Sequence, residues 1–297
     1  MSKVYKALEK AEREREVKKR VYSIPKPETT RIEEEVMHKP SGFGEMISDQ
    51  QLVSVFQPGS LASEQFRKLR TYLLRSKNSE PPRTIMVTSA NSGEGKSFVA
   101  ANLAAGIASD LHNHALLVEC DLRNPTLSEL FGLRNAKGLS DYLAGNEKIP
   151  ELLMKTGVEK LDFFPGGSIQ GNPTELIGSK KMEALVHELK SRYSDRYLIL
   201  DSTPLLATSE SEVLSKLVDA IIIVIRAGAT PRETVKQALS FIDKGKILGF
   251  VLNDVQFKSS GLFSRYFGSD GYYYRYGYAK KKSEIKSRWK IFGKKGS

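Results

Sequence analysis

Six short apolar runs constrain the fold: "TIMVTS" (84–89), "ALLVE" (115–119), "LDFFP" (161–165), "YLILD" (197–201), "AIIIVI" (220–225) and "ILGFVLN" (247–253). None keeps a strict apolar–polar alternation, so each predicts a strand buried on both faces rather than half in water. Stretches with helical spacing run between them: Lys96 to about Ser109, Ser179 to Tyr193, Glu210 to Leu217 and Pro231 to Phe241. Strands of this kind alternating with helices predict an α/β chain with a mostly parallel central sheet and helices on both faces.

Upstream of the first run, "SLASEQFRKLRTYLLRSK" sets Leu61, Phe66, Leu69, Leu73 and Leu74 at helical spacing. Residues 21–58 hold prolines, an "EEE" run and "PSGFG" without a sustained period, which predicts a linker. Residues 1–20 predict a charged helix with a thin stripe of Val4, Leu8 and Ala11, either solvated or docked on a partner. The chain therefore divides into 1–58, a charged helix and linker; 59–258, the α/β domain; and 259–297, a tail.

The formal charge is +11, with eight cations against one anion in residues 279–297. That tail alone carries +7, so the basic balance is not a property of the folded body, and without a nucleic-acid-binding module it does not predict a nucleic-acid partner. The single cysteine, Cys120, rules out a disulfide framework and suits a reducing cytoplasm. The charged N-terminus has no apolar signal core, and no run of about 20 apolar residues predicts a membrane span.

The chemistry concentrates where strands end. "ANSGEGKS" (90–97) follows a strand and opens a helix. Gly93 and Gly95 let successive N–H groups turn inward toward phosphate oxygens, and the helix N-terminus adds partial positive charge. Asn91, Ser92, Gly93, Glu94, Gly95, Lys96, Ser97 and Phe98 are the candidate nucleotide-binding residues. Lys96 reaches the β- and γ-phosphates, and the Ser97 hydroxyl is a ligand for Mg²⁺. Ala90 stands where the usual pattern has a first glycine. "LLVECDLRNP" (116–125) puts Glu119 and Asp121 at a strand end, and "LILDSTP" (198–204) does the same for Asp201. Ligands bind at that end of an open parallel sheet. A lone strand-end aspartate can be a helix cap, but three such features in this order favour a site for Mg²⁺ and a nucleotide.

This order of motifs resembles the bacterial tyrosine kinases of capsule and exopolysaccharide biosynthesis, the CapB/CpsD type and the cytoplasmic half of Wzc. The resemblance extends from about Ser60 to the C-terminus. It includes "GLSDYLAG" (138–145), "PGGSIQGNPTELIGSKKMEAL" (165–185) and "VIRAGATPRE" (224–233). It implies a P-loop fold of the MinD/ParA-like type, with ATP and Mg²⁺ as cofactors. Glu119 would be the proton acceptor, where the family usually has aspartate. Asp121 and Asp201 would join Ser97 at the metal, and Arg123 would orient phosphates or carboxylates. Asn253 would contact the adenine. Glu64, Arg67 and Arg70 match the family's Glu-x-x-Arg-x-x-Arg helix, which assembles a ring of identical subunits. Local pairing of Glu64 with Arg67 is the plain alternative.

The resemblance also gives "GYYYRYGYAKKK" (271–282) a purpose. Tyr272, Tyr273, Tyr274, Tyr276 and Tyr278 become autophosphorylation sites, modified in trans by a neighbouring subunit. A transmembrane chain-length regulator (a polysaccharide co-polymerase) is implied as activator. The chain would then sit in the cytoplasm, at the inner face of the plasma membrane. In the tail, Ile285, Trp289 and Phe292 share a helical stripe among cations, which fits an anionic membrane surface or a disordered tail equally well. The alternatives are a MinD/ParA-like ATPase switch and a nucleotide-dependent scaffold. The first normally carries a second lysine where Asn91 stands, and the second draws on the Glu119 departure.

Overall fold

The computed structural model describes residues 51–75, 81–145, 147–168, 171–192 and 195–255. The charged N-terminal helix, most of the linker, the tyrosine cluster and the basic tail lie outside the described residues.

The strands are β1 (Thr84–Ser89), β2 (His114–Glu119), β3 (Met154–Lys155), β4 (Leu161–Phe164), β5 (Arg196–Asp201), β6 (Ala220–Arg226) and β7 (Ile247–Asn253). They form one sheet in the order β3-β4-β2-β5-β1-β6-β7. Every pairing is parallel except β3 with β4. The helices are α1 (Val53–Phe56), α2 (Leu61–Leu74), α3 (Lys96–Ala108), α4 (Thr126–Leu130), α5 (Leu139–Ala144), α6 (Ile149–Leu152), α7 (Pro173–Ile177), α8 (Lys180–Arg192), α9 (Glu210–Leu217) and α10 (Arg232–Ala238).

Side chains that alternate along each strand enter two cores, one on each side of the sheet. Met86, Leu116, Val118, Leu198, Leu200, Ile221 and Ile223 pack on one side. Ile85, Val87, Leu117, Ile199, Ile222 and Val224 pack on the other. This is why the strands read as continuous apolar runs. Helix α3, apolar all round, is sunk between the sheet and α2. Ser60 caps α2 by accepting the N–H of Ser63 at 3.1 Å.

Three features differ from the sequence expectation. β7 is an edge strand covered less fully than its composition predicts, with Phe250 and Leu252 51% and 61% exposed. β3, only two residues long, adds an antiparallel edge too short to leave a periodic signal. The expected linker also ends before residue 58. Leu52 and Val53 are buried in the core beside α3. Asn102 of α3 accepts the N–H of Ser54 at 3.0 Å and donates to the Gln51 carbonyl at 2.8 Å.

Removing residues 51–58 should therefore lower the unfolding temperature relative to a chain beginning at 51. One beginning at 59 loses the buried Leu52 and Val53 and leaves Asn102 without two partners, a cost of about 3–5 kcal/mol. Thermal unfolding of the two truncations checks this.

Candidate active site

The loop between β1 and α3 turns through Gly93 and Gly95, with φ of 77° and 91°. Both lie in the left-handed region that glycine adopts at no steric cost. The loop is held from beneath. Asn253, at the end of β7, donates to the Glu94 carbonyl at 3.0 Å. A Cβ on Gly95 would stand 2.0 Å from the Asn253 amide nitrogen, so only glycine fits. The Glu94 carboxylate turns inward, accepting the Ala90 N–H at 3.0 Å and the Thr230 hydroxyl at 2.6 Å. Ala90 is fully buried and needs no left-handed backbone, which explains why the missing glycine is tolerated.

Three of the expected nucleotide-binding residues make contacts within the chain. Glu94 supports the loop from below. The Asn253 amide props the loop backbone. Phe98 packs its ring edge-on against Phe66 of α2, centroids 5.8 Å apart, so its side chain belongs to the helix interface. Asn91, Ser92 and Gly93 form the exposed lip, and Asn91 donates to Glu94 at 3.4 Å.

At the loop's end, Lys96 is buried, with its Nζ 2.7 Å from Asp121 Oδ2 and 3.8 Å from Asp201 Oδ1. Burial works against the ammonium charge, but Asp201 and Asp121 outweigh it and hold the lysine pKa above its ordinary value. Ser97 accepts the Lys96 Nζ hydrogen bond at 3.2 Å and that of the Thr126 hydroxyl at 3.0 Å. Thr126 opens α4 and had no sequence signal beyond its place after "NP".

Asp201 is fully buried, and neither of its oxygens accepts a hydrogen bond among the described residues. Burial pushes its pKa up to about 6 against the opposing pull of Lys96. A buried carboxylate with free lone pairs beside a serine hydroxyl is the donor set a hard cation such as Mg²⁺ takes, so these residues fit the metal. Two aspartates and a serine make an incomplete shell, which phosphate oxygens and water commonly complete.

Glu119, the expected proton acceptor, turns its carboxylate inward. Its carboxylate is fully buried and held by two segments, the start of α4 and the loop at Gly166. Oε1 accepts the N–H groups of Leu127 at 2.6 Å and Ser128 at 3.1 Å. Oε2 accepts the Gly166 N–H at 3.0 Å and the Ser128 hydroxyl. Burial pushes its pKa up to about 7, opposed by these donors. The extra methylene of glutamate carries the carboxylate past the strand end and under the start of α4.

Arg123 likewise turns from the loop. Its Nε and Nη2 lie 3.0 and 2.9 Å from Glu210 Oε1, and Nη2 lies 3.2 Å from the Thr174 hydroxyl. The arginine side chain is 48% exposed at the mouth of the site, while Glu210 is 3% exposed beneath it. Burial opposes the Glu210 charge, but Thr208, Arg123 and Thr174 outweigh it and lower the pKa. Glu210 carried no sequence signal, since a first-turn acid in a helix is ordinary, and Thr174 had none beyond its place in the 165–185 stretch. The expected assembly residues are engaged within the chain. Glu64 pairs with Arg67 at 2.7 Å, Arg67 donates to the Pro58 carbonyl at 2.8 Å, and Arg70 donates to the Gly106 carbonyl at 3.0 Å.

The fold and loop define a P-loop nucleotide-binding protein, and residues 82–248 match the model of the AAA domain family. Beyond that class, the chain is 33% identical to tyrosine-protein kinase YwqD of Bacillus subtilis (strain 168), over 74% of this chain and 93% of that one. It is also 33% identical to tyrosine-protein kinase wzc of Salmonella typhi, over 77% of this chain but only 31% of that longer protein. Among solved structures, the kinase domain of the Escherichia coli tyrosine kinase ETK aligns with a TM-score of 0.65 and 28% identity, over 78% of this chain and 87% of that one. The chimerical protein CapA2B2 aligns with a TM-score of 0.64 and 31% identity, covering 70% and 91%. The chain belongs to the bacterial tyrosine-protein kinase family. No helix among its described residues is long and apolar enough to cross a membrane.

Two predictions follow from the buried carboxylates. With no nucleotide or divalent cation present, Asp201 titrates at about 6 when folded against an ordinary value of 3.8. The folded state thus keeps a proton that the unfolded chain releases, an advantage complete below pH 4 and lost as pH rises through 6. Asp201→Asn should therefore gain about 1–3 kcal/mol on wild type between pH 4 and 7 in denaturant titrations. Glu119→Gln puts an amide N–H where the carboxylate accepts backbone N–H groups, and should lower stability by about 1–3 kcal/mol in the same assay.

Proposed function

We propose that the chain is an ATP-dependent protein-tyrosine autokinase that phosphorylates its C-terminal tyrosine cluster in trans and regulates polysaccharide polymerisation and export. The observation that carries this reading is the buried Lys96, held against Asp121 beneath a glycine loop and 3.8 Å from Asp201, whose oxygens accept no hydrogen bond among the described residues. The loop N–H groups and the start of α3 bind the phosphates, and Lys96 leaves Asp121 for the γ-phosphoryl group. Ser97 and Asp201, with Asp121 through water, would hold Mg²⁺, which when bound neutralises charge on the phosphates.

A tyrosine hydroxyl has a pKa of about 10 and must lose its proton during transfer. Its oxygen bonds to the γ-phosphorus as the bond to the β–γ bridging oxygen breaks, and ADP leaves. Since Glu119 is enclosed, the proton passes to Asp121, the carboxylate freed when Lys96 moves to the phosphates. Glu119 instead holds the start of α4, and through it Thr126, against Ser97. Arg123, fixed by Glu210 and Thr174, meets the incoming segment at the mouth.

We place the protein in the cytoplasm at the inner membrane face, bound to a transmembrane chain-length regulator that activates it. Glu64, Arg67 and Arg70 supply the contact between copies in a ring. The enclosure of Glu119 is the one observation favouring a second reading, a nucleotide-dependent switch or scaffold with little kinase activity.

Mass spectrometry of the tail after incubation with ATP and Mg²⁺ tests the proposal, with the activating fragment alongside. Phosphate on Tyr272–Tyr278 should fall at least about a hundredfold in Lys96→Met. Phosphate that survives the substitution overturns the assigned site. Nucleotide binding without any phosphotyrosine supports the switch.

A further inference from the structure

A second concavity opens at the other end of the sheet, where β1, β6 and β7 begin. Its volume is about 870 Å³, within the range of small-molecule sites. Arg75, Arg83, Lys190 and Lys246 line it, and Asp219 is its one carboxylate. Asp219 is already engaged, accepting the N–H groups of Arg83 and Thr84 at 3.0 Å each and pairing with Lys190. Lys246 donates to the Ser215 and Lys216 carbonyls at the end of α9. The Arg83 guanidinium lies 5.1 Å from the Tyr197 ring centre. Arg75 makes no side-chain hydrogen bond or ion pair among the described residues. An entering ligand thus meets surplus positive charge, with a guanidinium at one side that is unpaired among the described residues. Beside it Tyr72, on the last turn of α2, is 64% exposed and offers an aromatic wall.

Fixed cations next to an exposed ring select an anion joined to an aromatic group. We propose that this cleft binds phosphotyrosine supplied by the tail of a second copy. The proposal rests on the reading that the tail is phosphorylated. Charge favours that source and makes it conditional. The unmodified tail is cationic, at +7 over residues 279–297, and a basic cleft repels it. Each phosphate adds about −1.5 to −2, so four or five, most of the cluster, are needed to reverse the sign. The product of the reaction would then be held at the end of the sheet remote from the site that made it. Because α2 carries both the cleft wall and Glu64, Arg67 and Arg70, occupancy would bear directly on the helix proposed to join copies.

Fluorescence anisotropy on the phosphatase-treated full chain tests this without needing kinase activity. The probes are labelled synthetic peptides of residues 270–279: one phosphorylated at Tyr272, Tyr273 and Tyr274, one unmodified, and one with glutamate at those three positions. The phosphopeptide should bind at least about tenfold more tightly than either of the others. Arg75→Glu and Tyr72→Ala, both at exposed positions, should each weaken it about fivefold or more. Lys148→Glu, on the far edge near β3, should change nothing. Equal affinity for the three peptides overturns the proposal. So does binding that survives Arg75→Glu and Tyr72→Ala but is lost in Arg123→Ala, which would put the phosphopeptide at the catalytic mouth. Failure here leaves the kinase reading untouched, whereas peptide binding in a chain that never phosphorylates its tail counts against the kinase reading alone.

Discussion

Lys96 carries its charge into a nearly water-free place, and Asp121 and Asp201 make that position tolerable. An ammonium taken out of water costs several kcal/mol unless paired, and the same is true of each carboxylate. Asp121 pairs closely at 2.7 Å, while Asp201 sits back at 3.8 Å with both oxygens otherwise unoccupied. The cluster is therefore underneutralised on the carboxylate side. A cation beside Ser97 would relieve that imbalance, and phosphate oxygens would draw Lys96 away from Asp121. The ligand-free arrangement is adapted to receiving a metal and a polyphosphate together, since neither alone satisfies every charge.

Geometry around that cluster is set by contacts between loops. β1, β2 and β5 lie side by side in the sheet, which puts the phosphate loop, Asp121 and Asp201 at neighbouring strand ends. Beyond the strands, Glu119 ties Leu127, Ser128 and Gly166 together, Glu94 ties the phosphate loop to Thr230, and Glu210 ties Arg123 to Thr174. Each of the three glutamates is buried and accepts from donors on other segments. Glutamate reaches about one bond further than aspartate, which suits it to bridging rather than to ending a strand. The longer reach of Glu119 is in this sense a gain in loop anchorage.

The sheet and its strand-end site were legible because both depend on local signals. Runs such as "AIIIVI" favour strands with two covered faces by their length and β-branched content, and a Gly-x-Gly-Lys-Ser turn between strand and helix favours a phosphate-binding curl. What escaped depends on distant contacts. Whether Glu119 faces solvent or the start of α4 is decided by Gly166, 47 residues away. Whether Glu94 faces phosphate or the core is decided by Thr230, and the place of Arg123 by Glu210. The exposure of Phe250 and Leu252 was hidden for a similar reason. An edge strand and a central one have the same composition when only the next layer differs.

The two ends of the sheet carry opposite electrostatic demands. At the carboxyl ends, aspartates crowd around one lysine, and the site attracts cations together with phosphate. At the amino ends, four cations surround one occupied carboxylate, and the site attracts anions alone. On the proposed reading, a tail that begins cationic would be drawn toward the basic cleft once most of its tyrosines carry phosphate. The reaction would then change the sign of its own substrate, so the fold could hold the segment after reaction without any change in its own shape. Salt screens both attractions, the exposed cleft more than the buried cluster. Transfer between the two ends would thereby be tied to ionic strength as well as to the number of phosphates.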